Sequence, residues 1–237
     1  MSECLKASID LWHGRLVSVD TADQNDWQVL DESERRRALS LKRRHAQARF
    51  VEVHGKTRRI LARYLQVEPE SIVIGKEAHG KPYLVERREW VFNLSHSADC
   101  FVLAVAKNCR LGVDLEIIKS RASLDGLVNK CFGREEAEYW KALPESEKNH
   151  EFYRFWTRKE AFVKATGRGI ALGLDQCVVN PLNPGGMLRV PECWTPENDW
   201  SIADIDLGEG LVCCVVNDSG IRRVMMRHID DELATRF

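Results

Sequence analysis

Leu111-Gly-Val-Asp-Leu-Glu-Ile117 alternates with period two. An extended strand therefore carries Leu111, Val113, Leu115 and Ile117 on one face and Gly112, Asp114 and Glu116 on the other. Two carboxylates then project side by side. Like charges that close repel unless something positive compensates them, and paired hard oxygen donors suit magnesium far better than zinc. A solvated strand face gives the same pattern, and the strand alone does not choose between the two.

Working outward, residues 72–74, Trp90-Val-Phe-Asn-Leu94 and residues 101–106 are short, β-prone and bounded by turn residues such as Gly75 and Gly80. They predict a small sheet preceded by residues 9–19, an alternating opening segment. Asp31-Glu-Ser-Glu34 reads as a helix N-terminus, and apolar residues recur at helical spacing through residues 35–65. Eleven basic side chains (Arg35, Arg36, Arg37, Lys42, Arg43, Arg44, Arg49, Lys56, Arg58, Arg59 and Arg63) fill the other faces, which predicts a positive surface. Beyond the carboxylate strand, residues 134–141 and 151–166 return to helical spacing, and residues 200–207 and 210–217 read as strands closing a second sheet. Helix-then-strands thus occurs twice. The expectation is an α+β protein of two comparable halves, 1–108 and 109–237, with Asn180-Pro-Leu-Asn-Pro-Gly-Gly186 as a surface loop in the second.

Composition narrows the function classes. The 237 residues are 44% hydrophobic, enough for an unaided core, and the formal charge of -1 means that any attraction to phosphate comes from segregated charge. The eight cysteines include no C-x-x-C pair and lack histidines at zinc spacing; Cys213-Cys214, inside an apolar run, reads as buried packing. No stretch approaches a membrane span, and the first six residues lack a signal-like pattern, so a cytoplasmic protein with no membrane association is expected. Walker, dinucleotide-binding, zinc-protease and nucleophile-elbow motifs are absent from the sequence. The basic run is compatible with nucleic acid, but it lacks interleaved aromatics and leaves the carboxylates unexplained, so no nucleic-acid partner is expected.

Two further segments bear chemistry. In Phe152-Tyr-Arg-Phe-Trp-Thr-Arg-Lys-Glu-Ala-Phe-Val-Lys-Ala-Thr-Gly167, Phe152, Phe155, Phe162 and Val163 form a buried stripe, while Trp156, Glu160 and Lys164 stand one turn apart on an adjacent line. Glu and Lys four apart also make an ordinary exposed helix pair. Gly80-Lys-Pro82 and Phe92-Asn-Leu-Ser-His-Ser97 are a turn and a strand end able to present hydroxyl, imidazole and backbone donors to phosphate, or merely to cap a turn.

In this order Gly80-Lys-Pro82, Phe92-Asn-Leu-Ser-His-Ser97, Gly112-Val-Asp-Leu-Glu116 and Trp156-Thr-Arg-Lys-Glu-Ala-Phe-Val-Lys164 closely resemble the Sfp-type 4'-phosphopantetheinyl transferases. The resemblance runs from the basic helices near residue 42 to about Leu174. It implies a monomer of two pseudo-symmetric halves with coenzyme A and Mg²⁺, or Mn²⁺, in the cleft between them. It also implies transfer of the phosphopantetheine arm to a serine of an apo acyl or peptidyl carrier protein, with release of 3',5'-ADP. Carried over by position, Asp114, Glu116 and Glu160 are the implied metal carboxylates. Lys164 lies near the pyrophosphate, and Lys81, Pro82, Ser95 and His96 contact coenzyme A together with Arg44, Arg49 and Thr57 of the basic helices. Asp114, Glu160 and Lys164 are the implied catalytic set, with Glu160 taking the serine proton directly or through a water. Leu41 and Lys42 stand where relatives place a lysine or arginine. A catalytically silent coenzyme A binder is disfavoured because all four of Asp114, Glu116, Glu160 and Lys164 are present. Ile117, Ile118, Leu124, Leu127 and Phe132 are either a carrier-docking face or, by their spacing, core residues.

Overall fold

Asp31 does start a helix: its carboxylate accepts from Glu34 N, and the Glu34 side chain accepts from Asp31 N in return. The computed structural model describes residues 8–229 apart from 18, 19, 21, 121, 122, 221 and 222. Strand β1 (Ser8–Arg15) leads through the short α1 (Gln24–Gln28) to α2 (Glu32–Leu39) and α3 (Arg44–Leu65). The single helical stretch expected from residue 35 is thus broken at residues 40–43, and residue 19, the end of the expected opening segment, lies outside the described residues.

Next come β2 (Ile74–Lys76), β3 (Pro82–Leu84), β4 (Trp90–Ser97) and β5 (Cys100–Lys107), then β6 (Leu111–Ile117), α4 (Asp125–Cys131), α5 (Arg134–Ala142) and α6 (Glu145–Thr166). Strands β7 (Val178–Val179), β8 (Met187–Arg189), β9 (Ser201–Ile205), β10 (Leu211–Asn217) and β11 (Arg223–His228) complete the described chain, an α+β protein. The strand expected at 72–74 begins only at Ile74, because Ile72 turns its carbonyl to Arg58. Residues 180–186 connect β7 to β8, with Leu182 87% exposed.

The main sheet has the order β11-β1-β5-β4, with β1 and β11 parallel and the rest antiparallel. The second, β6-β10-β9, is antiparallel throughout. Strand β11 follows all of the second sheet in sequence yet lies in the first. Alternation sorts the side chains into three buried layers. Trp12, Phe92, Phe101, Leu103 and Val105 pack on Val53, Ile60 and Leu61 of α3. Ile9, Leu11, Val102 and Ala104 meet Leu111, Val113, Leu115, Cys213 and Val215 between the two sheets. Val212, Cys214 and Val216 pack on Phe155, Phe162 and Val163 of α6. Cys213 and Cys214 are packing residues, facing opposite layers.

Arg58 is not part of a positive surface. It is fully buried, its Nε donating to Glu34 and Nη2 to Asp31, each at 2.6 Å, while Nη1 donates to the carbonyls of Pro69 and Ile72. A guanidinium out of water is tolerated only when its donors are satisfied, so this network joins α2 and α3 to the loop before β2. Leu124 and Phe132 are also buried, and Ile118 and Leu127 pack on the same core, which removes most of the apolar set after β6 from the surface.

Helix α6 approaches β6 closely at Gly112. A Cβ there would strike the Ala161 carbonyl oxygen and the Ala165 amide, both backbone atoms that cannot move aside alone. Gly112→Ala is expected to push α6 off the strand and lower stability by about 1–3 kcal/mol, read as a shift of the urea midpoint; an unchanged midpoint would remove the close approach from the account.

Candidate active site

Strand β6 is an edge strand, with β10 on one side only. Its free edge lies along β4, the edge of the other sheet, and side chains replace the missing ladder. Asn93 Oδ1 accepts from Val113 N at 2.8 Å, and Ser97 Oγ accepts from Ile117 N at 3.3 Å. Ser95 Oγ donates to Asp114 Oδ1 at 2.9 Å, and Ser97 Oγ to Glu116 Oε2 at 3.0 Å. The seam between the sheets thus draws both carboxylates to one place.

From α6, Lys164 enters the same seam. Its Nζ donates to Asp114 Oδ1 at 2.7 Å, Ser95 Oγ at 3.0 Å and the Val113 carbonyl at 3.2 Å. Glu160, one turn earlier, is half-buried. Burial raises its carboxyl pKa and Asp114 raises it further, against the pull of Lys164 and with a smaller push from Glu116. Glu116 is likewise raised, first by burial and then by Asp114. Each of the three carboxylates is felt by another, with Lys164 the cation bonded among them. His96, at the rim, is held low by desolvation and by the cations Arg49 and Lys164. Asp114, Glu116, Glu160, Lys164 and Ser95 are thus brought together at the seam, while His96, on the other face of β4, feels Arg49 and Lys164 through their charge.

Among the described residues, no three acidic, imidazole or thiol groups stand close enough to hold an ion as they are arranged. Lys164 and Ser95 occupy Asp114 Oδ1, and Ser97 occupies one oxygen of Glu116. The donor set still fits a hard divalent cation. Asp114 Oδ2 is buried without a hydrogen-bond partner among the described residues, and Glu116 and Glu160 are carboxylates whose mutual repulsion a cation would relieve.

The other expected contacts lie at varied distances from this centre. Arg44 is exposed at the first turn of α3. Arg49 keeps a buried Nη1 with no partner among the described residues. Thr57 is buried and donates its hydroxyl to the Val53 carbonyl at 2.7 Å. Pro82 lines, with His79, Gly80, Leu94, Lys164 and Gly167, an open cleft beside the seam. Lys81 lines the same cleft, and its ammonium donates to the carbonyls of Ala165 at 2.7 Å and Leu111 at 3.0 Å, one at the end of α6 and one at the start of β6. Burial pushes it down to about 8, with Glu77 pulling it back. As an unbranched isostere without the ammonium, Lys81→Met should leave two carbonyls unpaired and cost about 1–3 kcal/mol. Lys81→Arg should recover part of that loss in urea unfolding; full stability of the Met variant would count against the bridge.

Ser97 and Asn93 were not selected from the sequence as site residues. The signal for them was the same period-two alternation, since Asn93, Ser95 and Ser97 are successive polar positions on one face of a strand otherwise rich in apolar residues.

Two family models match the chain. The one described as the 4'-phosphopantetheinyl transferase superfamily covers residues 110–216, and the one described as 4'-phosphopantetheinyl transferase, N-terminal, covers residues 25–108. The chain is 32% identical over 215 residues to the 4'-phosphopantetheinyl transferase HetI of a Nostoc species, covering 89% of this chain and 88% of that one. It is 32% identical over 150 residues to the 4'-phosphopantetheinyl transferase AcpT of Salmonella typhimurium, covering 58% and 77%. A 4'-phosphopantetheinyl transferase of Bacillus subtilis is 30% identical over 131 residues, covering 55% and 57%. The chain belongs to the 4'-phosphopantetheinyl transferase superfamily and is an enzyme of that class. Among the described residues no helix is long and apolar enough to cross a membrane.

Proposed function

We propose that the chain transfers the 4'-phosphopantetheine arm of coenzyme A to a serine of an apo acyl or peptidyl carrier protein, leaving 3',5'-ADP, with Mg²⁺ or Mn²⁺ required. The observation that carries this reading is the meeting of Asp114, Glu116, Glu160 and Lys164 at the seam, with Asp114 Oδ2 left without a partner. We take the enzyme to be a cytoplasmic monomer of two pseudo-symmetric halves, 1–108 and 109–237. The family-model ranges and the two 22-residue helices α3 and α6, each packed on its own sheet, support the division.

The reaction forms a bond from the serine oxygen to the β-phosphorus of coenzyme A and breaks the bond from that phosphorus to the oxygen of 3',5'-ADP. Asp114, Glu116 and Glu160 would hold the divalent cation, which when bound would neutralise charge on the pyrophosphate. Lys164 stabilises the charge that builds on the departing ADP. Glu160, its pKa raised, accepts the serine proton. Arg49, whose Nη1 is buried without a partner among the described residues, and His96, which feels its charge, offer donors to the nucleotide phosphates, with Arg44 at the exposed end of α3. Ser95 orients Asp114, and Pro82 and Thr57 shape the nucleotide side of the cleft.

The test is the intact mass of an apo carrier protein incubated with this enzyme, coenzyme A and Mg²⁺. The expected result is a gain of one phosphopantetheine, lost on chelation of the metal and restored by Mg²⁺ or Mn²⁺. An unmodified carrier, across fatty-acid and peptide-synthesis carriers alike, would refute the assignment.

A further inference from the structure

Behind the Lys81-Pro82 turn, on the side away from the cleft, lies a second cavity of about 340 Å³. Lys81 and Pro82 line both spaces, so this turn is the partition between them. One wall comes from the first half (Tyr83, Arg88 and Trp90) and the other from the second (Arg110, Thr166 and Trp194). None of Tyr83, Arg88, Trp90, Arg110 or Trp194 takes part in the transfer chemistry described above.

The lining has a definite chemistry. Four aromatic residues, Tyr83, Trp90, Phe92 and Trp194, supply apolar surface. The Arg88 guanidinium lies over the Tyr83 ring at 3.4 Å and the Arg110 guanidinium over the Trp194 ring at 4.8 Å, so both cations rest on aromatic faces. Arg110 is neutralised by Asp218 at 3.0 Å, and the Lys81 ammonium is spent on carbonyls. Arg88 is exposed and has no ion pair among the described residues. Trp194 lines the cavity with its ring, since its Nε1 is covered by protein atoms.

We propose that this cavity is a second ligand site, separate from the coenzyme A cleft, for a small planar organic monoanion such as an aromatic carboxylate. The ring of the ligand lies among Tyr83, Trp90 and Trp194, and its carboxylate takes Arg88. With Arg110 paired to Asp218 and the Glu77 carboxylate set against the Lys81 ammonium, the charge left over on the lining is that of Arg88, which favours a single negative charge, and a space of this volume takes a molecule of drug-fragment size. Because the walls belong to different halves and the partition is Lys81-Pro82, an occupant touches both halves without entering the catalytic seam.

The test follows the indole N–H signals of ¹⁵N-tryptophan-labelled enzyme during titration with 2-naphthoate, with Trp194 assigned from Trp194→Phe. The proposal expects a saturable shift of the Trp194 signal, retained when coenzyme A and Mg²⁺ are already present. Neutral 2-naphthylmethanol should shift it weakly or not at all, and Arg88→Ala should weaken 2-naphthoate binding by about tenfold while leaving carrier modification intact. A Trp194 signal that does not move at millimolar 2-naphthoate overturns the proposal. So does a shift equal in Arg88→Ala, or one abolished by coenzyme A, which would place the probe in the cleft.

Discussion

Glu160→Gln is expected to abolish nearly all carrier modification, lowering kcat by roughly 10²–10⁴-fold, the range associated with loss of a general acid or base. The substitution keeps shape and volume and removes one negative charge from a group of three. Burial and Asp114 already disfavour the charged form of Glu160 in the fold, so the variant should unfold at the same denaturant concentration as the native enzyme or a slightly higher one. Coenzyme A binding measured by calorimetry in the absence of metal should survive, because Arg49, His96 and Lys164 are untouched. Loss of rate with stability and nucleotide binding retained separates a chemical role from a structural one. A Gln variant within tenfold of the native rate would mean that Glu160 neither ligates the cation nor takes the proton.

The sequence makes this site legible because its parts obey simple periods. Alternation in β6 puts Asp114 and Glu116 on one face, and spacing of four in α6 puts Glu160 and Lys164 on one line; the structure shows both arrangements. What the local pattern does not contain is the seam. That Asn93 and Ser97 complete the free edge of β6 depends on two sheets meeting edge to edge, a long-range fact with no local signature. The burial of Arg58 and the carbonyl contacts of Lys81 escape the sequence for a related reason. A basic residue on a helix or turn is assigned to solvent or to phosphate by default, and only the packed fold shows that Asp31, Glu34 and main-chain carbonyls satisfy these two inside it. The return of β11 to the first sheet is equally invisible to a reading in chain order.

The same blindness covers the residue beside Glu160. Lys159 is fully buried, its ammonium paired with the equally buried Glu136 and donating to the Cys177 carbonyl at 2.6 Å. Glu136 in turn accepts from Gly133 N at 2.7 Å and Val179 N at 2.8 Å. Burial pushes the lysine down and the carboxyl up, each against the pull of its partner. Lys159→Met fills the same space but strands Glu136 without a cation, which is expected to cost about 3–5 kcal/mol in urea unfolding. A carboxyl whose folded pKa lies above its unfolded value favours the fold while protonated. The deficit of the variant should therefore be smallest below the ordinary carboxylate range and grow as the pH rises through it. Adding Glu136→Gln should recover part of the loss and flatten that pH dependence, since the charge is gone; recovery stays partial because one amide oxygen must now serve two backbone donors. The pair anchors α6 at the position next to Glu160, so the single variant should also lose more transferase rate than Lys81→Met at equal folded fraction. A loss below about 1 kcal/mol at neutral pH, outside the range for a broken buried pair, would show that Glu136 finds solvent when its partner is removed, and that α6 is held at Glu160 by apolar packing alone.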